Sequence, residues 1–298
     1  MKFLAALVAA SAAALALTLA GPGRVTAARA ADKPAFVFTA IPDQDETRLM
    51  ERFGKVADYL GAKLGVPVKY VPVKSYPAAV TSFVNGEVQL AWFGGVTGVQ
   101  ARAKVPGSEA VAQGAEDTAF KSYMIANVGT GLKPAPDLQQ AIAGKTFSFG
   151  ARTSTSGRVM PEFYLRKAFD DKAPEQIFSR VGFSGDHSRT IQLVQSGAYD
   201  IGVVDYSVWD LDRKAGKVDD AKVAVIWQSP PFPDYQWTIR GDVDATFGPG
   251  FAAKVRQVLL GIDDKAILEP FGRSRFIPAD NAEYAPVEAV AKAAGLLN

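Results

Sequence analysis

The sequence predicts an α/β fold of two similar lobes, each a mostly parallel sheet flanked by helices. Three observations predict it. Short apolar runs alternate with helical periodicity along the chain, and the alternation comes in two separate stretches. The stretches also echo each other: "VNGEVQLAWF" (84–93) lines up with "QSGAYDIGVV" (195–204), which pairs Gly86 with Gly197 and Leu90 with Ile201. In both, a helix stops at glycine and a buried strand follows after a turn.

In chain order, "AFVFTAI" (35–41) is an apolar run ended by Pro42 and predicts the first strand. Leu49, Phe53, Val56, Leu60 and Leu64 recur every three or four residues and predict a helix with one buried face, closed by Gly65 and Pro67. "VPVKYVPV" (66–73) predicts a strand, "AAVTSFVN" (78–85) a helix and "VQLAWF" (88–93) a third strand. A second run begins near 145: "KTFSF" as strand, 157–169 as helix, "FSRVGF" as strand, 188–195 as helix and "DIGVV" as strand. "KVAVIWQSPPFPDYQWTIR" (222–240) reads as a Pro-interrupted pair of strands returning to the first lobe, with helices at 248–261 and 281–295. The lobes are accordingly expected at 31–124 plus 226–298 and at 125–225.

The first thirty residues are set apart. Lys2 precedes an apolar run from Phe3 to Ala20, "GPG" breaks it, and Ala28-Arg29-Ala30 offers an A-x-A cleavage site. This layout predicts a secretory signal peptide cleaved near Ala30. Without it the chain carries 30 basic and 31 acidic residues, and no basic block. That balance gives no support for nucleic-acid binding. There is no Cys, so neither disulfides nor a cysteine-linked lipid anchor is possible, and one His leaves no metal-ligand set. No G-x-x-x-x-G-K-[ST] phosphate loop occurs, and no cofactor is expected.

The stretch most suggestive of chemistry is "GARTSTSGRVMP" (150–161). It lies after a strand and opens a helix, at the carboxyl edge where open α/β sheets bind ligands. A single hydroxyl would suffice as a helix cap. Thr153, Ser154, Thr155 and Ser156 followed by Gly157 offer more: hydroxyl donors, unpaired helix N–H groups and close backbone approach, without Lys or Arg. Trp92 and Phe93 end the third strand before Gly94-Gly95, which could open a helix onto the same crevice; core packing is the competing reading for one of the two. Tyr76 starts a helix and Tyr123 lies where the chain passes between lobes, though isolated tyrosines are more often structural. Asp205 ends a buried strand as a helix cap or a cleft residue. His187, the single His, sits in a Gly-bounded strand-to-helix loop.

With these residues in place, the chain resembles the phosphate/phosphite/phosphonate-binding family of ABC-transporter periplasmic proteins, which are type II periplasmic binding proteins. "GKTFSFGARTSTSGRVMPEFYL", "SYPAAVTSFVNGEVQLAWFGG", "FSGDHSRTIQLVQSGAYDIGVVD" and "SPPFPDYQW" occur in the family's order. "STSGRVMPE" and "PDQDETRL" look like its selenate-importer subgroup. The resemblance implies a periplasmic, non-enzymatic receptor that closes over a small oxyanion and feeds an inner-membrane ABC permease. It implies ligand contacts from Tyr76, Tyr123, Ser154, Thr155, Ser156, His187 and Asp205, and from Trp92 or Phe93, with a monomer expected. "ART" at 151–153 departs from the acidic or Pro-containing turn of many phosphonate binders. Because a carboxylate only accepts hydrogen bonds, Asp205 in contact with ligand favours a proton-bearing anion over sulfate or selenate. Two alternatives stand beside this reading: an oxyanion sensor for a signalling receptor, and an exported hydrolase using Ser154 or Ser156, His187 and Asp205, although no G-x-S-x-G elbow occurs.

Overall fold

The structure is a computed structural model and describes residues 34–297. The expected signal peptide and its cleavage site lie outside the described residues. No described helix is long and apolar enough to cross a membrane.

The strands are β1 (Phe36–Ala40), β2 (Val68–Tyr70), β3 (Leu90–Phe93), β4 (Glu109–Gly114), β5 (Ser122–Asn127), β6 (Thr146–Phe149), β7 (Arg180–Phe183), β8 (Ile201–Asp205), β9 (Val223–Gln228), β10 (Gln236–Ile239) and β11 (Phe276–Pro278). The helices are α1 (Glu46–Leu64), α2 (Tyr76–Val84), α3 (Gly95–Lys104), α4 (Met160–Ala168), α5 (Pro174–Ile177), α6 (His187–Gln195), α7 (Tyr206–Lys214), α8 (Val243–Phe247), α9 (Phe251–Leu260), α10 (Lys265–Leu268) and α11 (Ala285–Ala293). They build two sheets, ordered β11-β4-β10-β3-β1-β2 and β7-β6-β8-β5-β9. Each sheet is the centre of one lobe. β1 pairs in parallel with β2 and β3, and β6 with β7 and β8. The returning strand β10 is antiparallel to β3 and β4, and the outgoing strand β5 is antiparallel to β8 and β9. Both sheets are therefore mixed: the second through β5, and the first through β10 and the edge strand β11, which is antiparallel to β4. The boundaries expected at 124/125 and 225/226 fall inside β5 and β9, two strands of the second sheet.

Most of the helices follow their sequence signals. α1 starts at Asp45, whose side chain accepts the Arg48 N–H at 3.1 Å, and stops at Gly65 with φ +72°. Ser75 caps α2, Asp186 caps α6 and Asp205 caps α7. The expected strand 66–73 contracts to β2, and the expected helix 248–261 begins at Phe251 after the separate turn α8. The first sheet packs Phe36, Phe38, Phe53, Trp92 and Trp237 into one aromatic-rich core, while the second carries a core on each face.

The chain crosses between sheets twice, through 115–121 and 229–235, and these segments pair with each other. Phe120 and Phe232 exchange both backbone hydrogen bonds, at 2.9 and 3.0 Å, and Asp234 N–H donates to the Asp117 carbonyl. Arg273 pins this junction with a bidentate bond to Asp117 at 2.7 and 2.9 Å, its guanidinium lying over the Phe120 and Tyr235 rings. Both partners are buried, so losing one strands a charge in low dielectric. Arg273→Met is expected to cost about 3–5 kcal/mol of unfolding free energy in urea titrations, far more than an exposed ion pair.

Candidate functional site

The carboxyl ends of β1, β3, β6 and β8 meet where the two lobes touch: Asp43 follows β1, Gly94 and Gly95 follow β3, Ser154–Ser156 follow β6 and Asp205 ends β8. After β6 the chain makes a π-helical turn, Thr155–Val159, that runs into α4; the Val159 and Met160 N–H groups reach back five residues to the Ser154 and Thr155 carbonyls. Ser154, Thr155 and Ser156 are all buried at its start. The first N–H groups of a helix have no preceding turn to receive them. The Ser154 hydroxyl takes one of these, accepting from Gly157 N at 2.9 Å. Gly157 has no alternative: a Cβ there would lie 2.9 Å from His187 Cε1 and from Ser154 Oγ.

His187, at the start of α6, is fully buried. Its Nδ1 accepts the Asp205 N–H at 3.2 Å, which places the proton of a neutral ring on Nε2, and Nε2 is buried without a partner. Asp205 Oδ1 accepts from Ser207 N, Ser207 Oγ and Val208 N, while its Oδ2 is also buried and unpartnered. Tyr76 Oη lies beside Ser154 without a bond of good geometry. Burial raises the Tyr76 phenol well above its ordinary range, and Asp43, Asp205 and Asp234 push the same way, so Tyr76 keeps its proton and can donate it. Unsatisfied buried polar atoms are rare in folded chains. Here two donors, Tyr76 Oη and His187 Nε2, and three carboxyl oxygens, Asp43 Oδ1, Asp205 Oδ2 and Asp234 Oδ2, are left without partners in one neighbourhood.

This geometry does not suit an acyl-transfer triad. The base would have to face Asp205's carboxylate and a serine oxygen. Instead His187 takes the Asp205 backbone N–H, and Ser154 Oγ is engaged by Gly157.

The other expected residues divide. Trp92 and Phe93 are both buried: Trp92 stacks on Tyr235 with centroids 5.4 Å apart, and Phe93 meets Phe83 edge-on at 5.6 Å. Trp92 thus touches the group through Tyr235, whereas Phe93 faces α2. Tyr123 is not brought in. It is half-buried, its ring 6.0 Å from Tyr206, on the core face formed with α6 and α7.

Three residues were missed. Tyr235 is buried, its phenol raised by burial and then by Asp205, Asp43 and Tyr76. Asp43 accepts the His187 backbone N–H at 3.1 Å through its carbonyl; its Oδ2 lies 3.5 Å from Arg52 and its Oδ1 is unpartnered. Asp234 caps α3 by accepting from Gly95 N at 2.8 Å, and beside it Thr155 Oγ1 accepts from Val96 N at 3.0 Å, a hydrogen bond between the lobes. The available signals were the Pro-flanked "FPDYQ" of the crossover and the "IPDQD" after the first strand.

The family described as the phosphonate periplasmic substrate-binding protein of ABC transporters matches residues 38–284. The probable ABC transporter phosphite binding protein PhnD1 of Prochlorococcus marinus (strain MIT 9301) is 37% identical over 260 residues, 85% of this chain and 87% of that protein. The 1.52 Å structure of PhnD1 from that organism with methylphosphonate superposes with a TM-score of 0.83 at 35% identity, covering 88% of this chain and 99% of the other. A binding component of an ABC phosphonate transporter from Pseudomonas aeruginosa shares the fold, with a TM-score of 0.75 at 20% identity over 87% of this chain and 86% of the other.

Burial raises Asp234 to about 7, against the opposing hydrogen bonds from Gly95 and Thr155. Its folded value lies above its unfolded one, so its contribution to stability is complete in acid. That contribution is lost as pH rises from about 4 toward about 7, at most about 4 kcal/mol. Asp234→Asn keeps an acceptor for Gly95 and removes the titration. The wild-type melting temperature minus that of the variant is expected to fall across this window, then level off; a difference independent of pH would refute the assignment.

Proposed function

The chain belongs to the family of phosphonate periplasmic substrate-binding proteins of ABC transporters, and on that premise we propose that its ligand is a small tetrahedral oxyanion that still carries a proton, phosphite or methylphosphonate foremost. It is a binding protein and not an enzyme, as its family is. The import step, in which the loaded protein delivers its ligand to an inner-membrane permease, is part of the proposal. So is the division of the chain into lobes that part and close at the crossover segments.

The observation that carries the reading is the mixed set of buried, unpartnered atoms: the Tyr76 Oη and His187 Nε2 donors together with carboxyl oxygens of Asp205, Asp43 and Asp234. An anion with three bare oxygens satisfies donors only. An anion with one O–H also satisfies a carboxylate. Ser154 and Ser156 supply hydroxyls, and the turn supplies backbone N–H groups including that of Thr155, to the remaining oxygens; the Thr155 hydroxyl is held by Asp234, and the helix N-terminus favours negative charge there. The cations nearest to hand are already spent, Arg52 on Asp43 and Gln44 and Arg273 on Asp117. Neutral donors therefore do the binding, which is strongest once closure removes water. Trp92 and Tyr235 form an apolar wall suited to the hydrogen or methyl group on phosphorus. Tyr123 has no part in this contact set.

Calorimetric titration with phosphite, methylphosphonate, phosphate, aminoethylphosphonate, sulfate, selenate and selenite tests the proposal. Phosphite and methylphosphonate are expected to bind, and each at 1,000 times its Kd should stabilise the fold by about 4 kcal/mol. Sulfate and selenate, fully ionised at neutral pH, are expected to bind at least about a hundredfold more weakly, since a carboxylate would face them without a proton between. Asp205→Asn should weaken phosphite and narrow its advantage over sulfate. Selenate or sulfate binding best, or an unchanged ratio in the variant, would overturn the role given to Asp205.

A further inference from the structure

Besides the Thr155–Val96 hydrogen bond, the lobes are joined by a contact between charges. Arg48, in the first turn of α1 in the first lobe, is bonded through Nη1 to Asp212 Oδ1 on α7 in the second. Asp212 is buried, and its other oxygen accepts the Ser188 hydroxyl at 2.9 Å. Ser188 directly follows His187, and the His187 N–H is itself bonded across the cleft to the Asp43 carbonyl. Arg48 is also held from its own lobe by Asp45, 3.6 Å from Nε. The second described ion pair between the lobes, Lys217–Asp45 at 3.5 Å, joins two half-exposed side chains. Such exposed pairs contribute little.

We propose that Arg48 and Asp212 form an electrostatic latch that holds the lobes together and, through Ser188, fixes the position of His187, so that they set ligand affinity and residence time without touching the ligand. The physical case rests on what parting the lobes does to Asp212. In the joined arrangement its two oxygens are satisfied by a guanidinium and a hydroxyl. When the lobes separate, Arg48 leaves with α1 and keeps Asp45, while Asp212 keeps only Ser188 and must recruit water. A charge pair across a mostly buried contact is screened far less than one in open solvent, so the joined arrangement is favoured. Because a ligand gripped from both sides binds only that arrangement, anything favouring it raises apparent affinity by the fraction of molecules made competent. Both residues are positioning residues: Asp212 keeps α6 seated, and α6 presents His187 Nε2.

The test uses Arg48→Gln and Asp212→Asn, alone and together. Asn at 212 still accepts from Ser188, so the second lobe keeps its internal bond and loses only the attraction to Arg48. The chain has no Cys. Dyes can therefore be placed on Lys63→Cys in the first lobe and Lys172→Cys in the second, both exposed, and lobe separation followed by single-molecule energy transfer. Each single variant is expected to weaken methylphosphonate and phosphite by about tenfold, through faster dissociation, and the double variant to be no weaker than either. The ligand-free protein should shift toward low transfer in all three. The affinity arm rests on the ligand class proposed above; the energy-transfer arm does not. If the wild type binds neither anion, the ligand is wrong and the ligand-free distributions still decide the latch. Affinities within about twofold of wild type, additive losses in the double variant, or unchanged ligand-free distributions would overturn it. Should Asp212→Asn fail to fold, Arg48→Gln carries the same readouts from a partly exposed helix position.

Discussion

The pairing of the two crossover segments is the interaction on which the rest of the arrangement depends. Phe120 and Phe232 bond to each other as a minimal antiparallel bridge, and Asp117 and Arg273 lock the adjoining backbone from beneath. This short junction fixes how one sheet faces the other. Everything placed at the carboxyl ends of β1, β3, β6 and β8 is thereby aimed at a common space. The first strand after each crossover, β5 and β10, runs against the prevailing direction of its sheet; the edge strand β11 does so as well.

The second organising feature is economy of cations. Guanidinium groups near the cleft answer carboxylates of the protein: Arg52 with Asp43, Arg273 with Asp117, Arg48 with Asp212. What faces inward is neutral and polar, together with the carboxyl groups of Asp205 and Asp234, which form no ion pair with these guanidinium groups. A fixed cation would attract any anion of suitable size with little regard to protonation. Directional O–H and N–H donors set against a carboxyl acceptor discriminate by where hydrogens lie on the ligand, and buried polar groups left unmatched penalise the wrong one heavily.

Much of this was legible in the sequence because local chemistry agreed with global fold. The Leu49–Leu64 repeat, the helix stops at Gly65 and Gly86 and the hydroxyl run at 153–156 each act within a few residues, and each appears where the pattern puts it. The placement of Ser154, Thr155, Ser156, His187 and Asp205 in one neighbourhood also followed from strand ends. What was not legible depends on contacts distant in sequence. Asp234 gains its role from Thr155 and Gly95, about 80 and 139 residues away along the chain, and Tyr235 from a stack on Trp92. Tyr123 illustrates the converse. It lies in β5 just past the crossover, where strand alternation sends its ring to the opposite face from Ser122, whose hydroxyl bonds the Ser156 carbonyl. Period-two geometry decides that, and only the register with β8 reveals it.

The π-helical turn at Thr155–Val159 has a further consequence. Such turns correspond to one residue more than a regular helix accommodates, and they persist where the irregularity is useful. With about 100° of rotation per residue, removing one residue from 155–159 would relax the turn into ordinary α-helix. Either α4 or the hydroxyl-bearing backbone would then have to swing by that angle. Buried Val159, Met160 and Leu165 hold α4 in place, so the swing would fall on the hydroxyls. The length of this turn thus acts as an angular setting. In relatives of this fold, a one-residue insertion or deletion at this point would redirect the binding surface in a single step, where substitutions alone could alter only its chemistry.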